Sequence, residues 1–267
     1  MKHAILATAA LFGAIAVSQI FAPGGLAQTG SAQAKPAQTA AAQPKPAAPL
    51  LTGFPFTNES LAYTVNWPSG LSLGEGHLSA TSEPSGWRFE LSLDAGIPGF
   101  EVKDTFRGAS STEFCSASFS KDSVHGPRKT NETVTIEKPS SDKAGGTATR
   151  PSNYGGTGGT SKIAVPGCVR DALTFLFYAR RELGQGRVPP AQQIVFGGLY
   201  TISLDYAGAE TVTVADKRIL TDKIVCHVKG PASNTEFDAY FDRDPARTPV
   251  AIRVPLAMGK FSLELVR

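Results

Sequence analysis

The chain has 267 residues, 41% of them hydrophobic and 18% charged. Its 26 basic and 23 acidic residues give a formal net charge of +3, too even a balance for a polyanion binder, so nucleic acid is excluded as the main partner. Outside the N-terminus no stretch is long and apolar enough to span a bilayer.

The first segment reads as an address. Lys2 and His3 precede an apolar run from Ala4 to Phe21, broken by Pro23, Gly24 and Gly25. Gly25-Leu26-Ala27 supplies small residues at the −3 and −1 positions, so residues 1–27 read as a secretory signal peptide cleaved after Ala27. Export implies a periplasmic location, a compartment that permits disulfides. Residues 28–50 hold eight Ala, four Pro and four Gln, with no aromatic residue. Such a tract buries too little surface to offset its ordering entropy and reads as a disordered tether. Residues 51–267 remain as a single folded domain, with no span after cleavage and a monomer expected.

Within that domain the dominant period is two. Leu61, Tyr63, Val65 and Trp67 share one face of a first strand. Leu71–Leu78, Trp87–Leu93, Phe100–Phe106, Phe114–Phe119 and Glu132–Glu137 continue the pattern. Lys138–Ser161 has six Gly and few apolar groups, and reads as a mobile loop. Its Gly pairs lack the order of a phosphate-binding loop. Cys168–Leu183 is the one helix predicted, with Pro166 and Gly167 before it and Gly184 after it. Its apolar content suits a helix buried against the concave side of a curved sheet. Seven further strands are predicted: Gln193–Phe196, Leu199–Tyr206, Thr211–Ala215, Lys223–Lys229, Thr235–Asp242, Pro249–Pro255 and Lys260–Val266. About a dozen short antiparallel strands imply an all-β fold, a sandwich, barrel or large curled sheet.

There are three cysteines: Cys115, Cys168 and Cys226. Cys226 shares a strand face with Ile224 and Val228, as a small buried hydrophobe would. The favoured disulfide is Cys115–Cys168, with Cys226 paired to either one as the alternative. The favoured bridge closes a loop of about 50 residues, worth about 3–4 kcal/mol in the chain-entropy model.

Catalytic motifs are sparse. His77, His125 and His227 lack metal-ligand spacing, and no GxSxG elbow occurs. Asp238, Asp242 and Asp244 with Arg243 and Arg247 read first as a salt-bridged turn, and only second as an acid–base pair or calcium site. No cofactor or metal is implied. Arg180 lies on the apolar face of the helix, where it pairs with a buried carboxylate or lines a polar pocket. With Tyr63, Trp67 and Phe177 it forms the set of candidate lumen or ligand contacts.

Three pieces of sequence carry a resemblance. They are Tyr63-Thr-Val-Asn-Trp67 followed by Leu73-Gly-Glu-Gly76, the helix Asp171–Arg180, and Asp242–Val250 running into Gly259–Leu265. In order and spacing they resemble the DUF3108 family of uncharacterised bacterial envelope proteins. The resemblance implies a long antiparallel sheet curled into a β-spiral, or incompletely closed barrel, around a helix. That shape is similar to EipB-type periplasmic proteins, and more distantly to the lipoprotein carriers LolA and LolB. It carries no catalytic residues. A non-enzymatic periplasmic protein supporting envelope integrity, through a protein or other envelope-component partner, is therefore expected. A carrier of lipid or another apolar ligand in the lumen is the alternative. An enzyme on glycan or peptide would need convergent polar groups, and the sequence offers no such set.

Overall fold

The computed structural model describes residues 58–97, 99–137, 145–154, 157–231, 234–256 and 259–266. The signal peptide, the tether and the first residues of the expected domain lie outside the described residues. Eight strands come first: β1 (Asn58–Asn66), β2 (Ser72–Glu83), β3 (Gly86–Ile97), β4 (Phe100–Ser111), β5 (Ser116–His125), β6 (Arg128–Glu137), β7 (Gly146–Tyr154) and β8 (Thr157–Val165). The short β9 (Arg170–Asp171) leads into the helix α1 (Ala172–Gly184). The chain continues through β10 (Gln192–Val195), β11 (Leu199–Val214), β12 (Lys217–Lys229), β13 (Asn234–Asp242), β14 (Pro249–Leu256) and β15 (Gly259–Val266).

All these strands belong to one 15-stranded sheet. Neighbours in sequence are mostly neighbours in space, because short turns favour antiparallel pairing. Two meanders result, β1 to β8 and β10 to β15, and β9 adds parallel to β10 by way of the helix. They join where β1 pairs antiparallel with β15, Tyr63 opposite Leu265 and Val65 opposite Leu263. The sheet then curls until β9 comes to lie against β5. There the Ser116 amide donates to the Val169 carbonyl at 2.9 Å, without a continuous ladder. Strands β6 to β8 run on past that seam, so the architecture is an open spiral rather than a closed barrel.

The period-two pattern explains which side became the interior. Phe89, Leu91, Leu93 and Ala95 of β3 face inward with Val102 and Phe106 of β4. The helix divides this interior. Leu173 and Phe177 join a cluster built mainly from β1–β6, β14 and β15. Phe175, Ala179 and Leu183 join a second cluster with Ile202, Leu204, Ile224, Cys226 and Phe241. The helix is therefore apolar on two sides, as a helix enclosed by a curled sheet must be.

Three predicted elements differ. The Gly-rich segment is not a loop where it is described: Gly146–Tyr154 and Thr157–Val165 form the hairpin β7–β8. Ala148 and Val165 supply its buried face. A Cβ on Gly146 would stand 2.7 Å from the Glu137 carbonyl oxygen, so glycine here permits close strand approach. The helix begins at Ala172 rather than Cys168, because Asp171 caps it, Cys168 lies in a turn and Arg170–Asp171 form the short strand β9. It ends at Gly184, one residue later than expected, and Gly186 beyond it takes a left-handed φ of 74°. Finally, the separate strands expected at 199–206 and 211–215 are one 16-residue strand with a bulge at Gly208.

Candidate functional site: buried polar groups of the lumen

An enclosed apolar lumen makes every polar group inside it conspicuous, since burial without a partner is costly. Arg180 is the largest fully buried side chain. Its guanidinium grips Glu59 at the start of β1 with two hydrogen bonds, Nη1 to Oε2 at 2.6 Å and Nη2 to Oε1 at 2.8 Å. Nε donates to the carbonyls of Ala246 and Arg247 at 3.1 and 3.2 Å. One helical side chain thereby ties α1 to β1 and to the β13–β14 connection. Bidentate geometry of this kind makes Arg–carboxylate pairs strong and specific. The same guanidinium lies 4.9 Å from the Phe177 ring, which in turn stacks on Phe89 at 4.2 Å.

Tyr63 stands beside this pair. Its hydroxyl donates to the Pro249 carbonyl at 2.9 Å. Burial pushes the phenol's pKa far above its usual range; Arg180 opposes that shift and Glu59 adds to it. Tyr63, Phe177 and Arg180 thus converge in the lumen. Trp67 does not join them. It stands half-buried at the β1–β2 turn, edge-on to Phe261 at 4.8 Å.

A second polar cluster fixes the other end of the helix. Asp171 is fully buried, and its Oδ1 accepts from the amides of Leu173 and Thr174 at 2.9 and 3.0 Å. Oδ2 accepts from the hydroxyls of Thr174 and Ser116, each at 2.6 Å. Burial raises the carboxyl pKa, and the hydrogen bonds from Ser116, Thr174 and Leu173 partly offset that rise. Next to it Cys115 and Cys168 form a disulfide, joining the β4–β5 connection to the segment before β9. Cys226 is a buried free thiol.

A third pair lies on the inner faces of β4 and β5. Asp104 is 1% exposed, and His125 Nε2 approaches both its carboxylate oxygens at 3.0 Å. Ser123 shares this face, and its buried hydroxyl has no hydrogen-bond partner among the described residues. Lys121, also inward, places its ammonium 5.5 Å from Phe106 and 5.6 Å from Phe196. Ser, His and Asp on one face invite comparison with a nucleophilic triad. Here, however, the Ser123 hydroxyl makes no hydrogen bond to His125, so the three are not linked as nucleophile, base and orienting acid.

The remaining candidate groups do not converge. His77 on β2 and His227 on β12 sit on the exposed side, the latter between Asp205 and Glu236 at 3.0 and 3.1 Å. Asp244 caps its own turn by accepting from the Thr248 amide and hydroxyl. Asp238 pairs with Lys223 at 3.2 Å. Arg243 and Arg247 both bind Asp222, a partner the sequence reading did not include. Among the described residues no group of three or more His, Cys, Asp or Glu could hold a metal ion. No helix there is long and apolar enough to cross a membrane. An open groove of about 810 Å³ lies at the rim, lined by Leu73, Glu75, Asp94, Phe100, Glu101 and several glycines. It lies at the end that carries the β1–β2 and β3–β4 turns, away from Arg180.

Two of the buried acids were legible in the strand pattern. Asp104 shares a predicted face with Val102 and Phe106, and Glu59 extends the face of Leu61 and Tyr63 by one position. A carboxylate on an apolar face signals a buried partner, but nothing local says which one.

Comparison with known proteins bears on the fold and the family. The chain is similar to a solved β-barrel-like protein of the domain of unknown function DUF1849 from Brucella abortus. The TM-score is 0.55 at 6% identity, over 79% of this chain and 96% of that one. At that identity the likeness speaks to the fold alone. No curated protein matches the chain. Residues 62–266 match the model of the protein family of unknown function DUF3108, and the chain belongs to that family.

Proposed function

We propose that this protein is a non-enzymatic component of the cell envelope, exported to the periplasm, that works through its outer surface and edges rather than through chemistry in its lumen. The observation that carries the reading is what fills the lumen. The helix, the Phe89–Phe177 stack and the Arg180–Glu59 pair occupy the space where a barrel enzyme or lipid carrier would keep its ligand. The buried ionisable groups bind one another and the backbone, which suits anchoring rather than turnover. The N-terminal pattern of charge, apolar run and small residues supports export, and the disulfide suits an oxidising compartment.

The test is expression of the full chain in a bacterial host, cell fractionation, and native mass spectrometry of the recovered protein. The expected result is a periplasmic species beginning at Gln28 with no bound small molecule. Recovery from the cytosol with residues 1–27 intact would overturn the location. A retained lipid would overturn the surface-interaction reading in favour of the carrier.

A further inference from the structure

The disulfide spans a place where the curled sheet meets itself without a ladder. On one side is Cys115, immediately before β5. On the other is Cys168, just before β9. Apart from the bond, the hydrogen bonds here are the Ser116 amide to the Val169 carbonyl and the Ser116–Asp171 pair, while further along the seam Arg150 Nη1 donates to the Gly197 carbonyl at 2.7 Å and Phe196 lies 5.4 Å from Phe119. The strand it retains is only two residues long, paired with β10 at Ile194 and Val195.

Two features make the bond unlike a core staple. Cys168 is exposed and Cys115 half-buried, so the bond joins residues at the surface rather than in the core. The residue before Cys115 is Phe114, whose φ of 59° lies in the left-handed region that L side chains avoid. Its ring is held by stacking on Trp87 and Phe89 and by Arg181 at 5.0 Å. A tight turn is therefore kept in an unfavourable backbone state directly beside a disulfide whose other half is an exposed residue. Such strain persists only where the surroundings over-determine it.

We propose that the Cys115–Cys168 disulfide is a redox-addressed bolt on the barrel seam: a dithiol reductant opens it and frees the segment around β9 and the start of α1 from β5, while the rest of the sheet stays folded. The thiolate of the reductant attacks Cys168 Sγ, the S–S bond breaks, and Cys115 leaves as a thiolate that takes up a proton. The second thiol of the reductant then attacks the mixed disulfide and releases Cys168 as a thiol. The reductant gives two electrons and ends as its own disulfide. The freed segment carries Val169 and Leu173, both buried in the lumen of the oxidised form. Opening thus converts core surface into binding surface. This inference stands apart from the envelope reading, because it concerns the seam wherever the protein resides.

Cys226 provides an internal control. It is buried among Ile224, Leu204 and Phe241, on the far side of the helix. Burial also pushes its thiol pKa up, which leaves it unreactive until the sheet opens. The test treats the oxidised full chain with dithiothreitol, follows amide hydrogen exchange, and applies a short iodoacetamide pulse. Expected is a loss of protection of about tenfold or more over residues 112–119 and 166–178. Over β12–β14 protection falls less than over these segments, Cys115 and Cys168 are alkylated, and Cys226 is not. Removal of the reductant in air restores the first pattern. Three results would overturn the proposal. The bond could resist dithiothreitol until the protein is denatured. Reduction could leave exchange unchanged. Or Cys226 could be labelled in the same pulse while protection falls equally over the seam and over β12–β14, which would make the bond a global staple.

Discussion

Arg180 and Glu59 are 121 residues apart in sequence, yet each is the other's main electrostatic partner in the lumen. Removing one member of such a pair strands a charge, so Arg180→Ala should lower stability by about 3–5 kcal/mol in urea unfolding. The double variant Glu59→Leu/Arg180→Met should lose less than Arg180→Ala alone, because hydrophobic replacement removes both desolvation costs together. A double variant worse than the single would show that the Ala246 and Arg247 carbonyls, not Glu59, are what Arg180 serves. Asp171 poses a different question. Its raised carboxyl pKa means the folded state holds the proton more tightly than the unfolded chain does. Its contribution therefore falls as pH rises above the unfolded value of about 3.9. Asp171→Asn keeps an oxygen for the two amides and cannot ionise. The stability difference, Asn minus Asp, should then grow with pH through the acid range in denaturant titrations. A difference that shrinks would show the carboxylate to be stabilised in its charged form. Of these residues Arg180 could be singled out from the helix face alone. Its partner could not, because a pairing across 121 positions depends on how β1 and α1 meet in the finished fold.

The helix and its neighbours show where local signals stop sufficing. The apolar spacing from Val169 onward suggests a helix from Cys168, but spacing says nothing of a side chain that competes for the backbone. Asp171 does so by capping, at the end of the two-residue strand β9. The β7–β8 hairpin was obscured for another reason. Glycine weakens strand propensity, and only contact with neighbouring strands makes its close approach useful. By contrast, the strands β1, β2, β3 and β15 follow the alternation closely, because each has one face on the core, whereas β13 and β14 bury consecutive residues, Ala239–Phe241 and Val250–Ile252. A packing test at this scale uses Gly108 on β4. A Cβ there would stand 3.0 Å from Asp171 Oδ1 and 3.2 Å from Oδ2. Gly108→Ala should cost about 1–3 kcal/mol by pushing the cap away from the helix. In a double-mutant cycle with Asp171→Asn the two costs should fail to add, since they displace the same contact. Additive costs would place the strain elsewhere.

At the scale of the molecule, the sheet owes its curl to twist and to burial, while its seam owes its closure to few bonds. The disulfide encloses a sequence separation of 53 residues, which corresponds to roughly 4 kcal/mol of denatured-state entropy. Reduced protein should therefore unfold at lower urea concentration than oxidised protein. A smaller slope of stability against urea in the oxidised form would show that the bond also compacts the denatured chain. The overall class was readable from the strand pattern, but the order of strands was not. Alternation is the same in a central strand and an edge strand, so nothing in it says that β1 and β15 are partners. That pairing has a consequence in time. During synthesis the first meander exists before the second, and β1 must wait with one edge open until the last strand emerges. The eight residues of β15 fill the middle of the sheet rather than its rim. A chain shortened before Gly259 would not lose a border. It would part into two half-sheets, each with a raw hydrophobic edge where its centre should be.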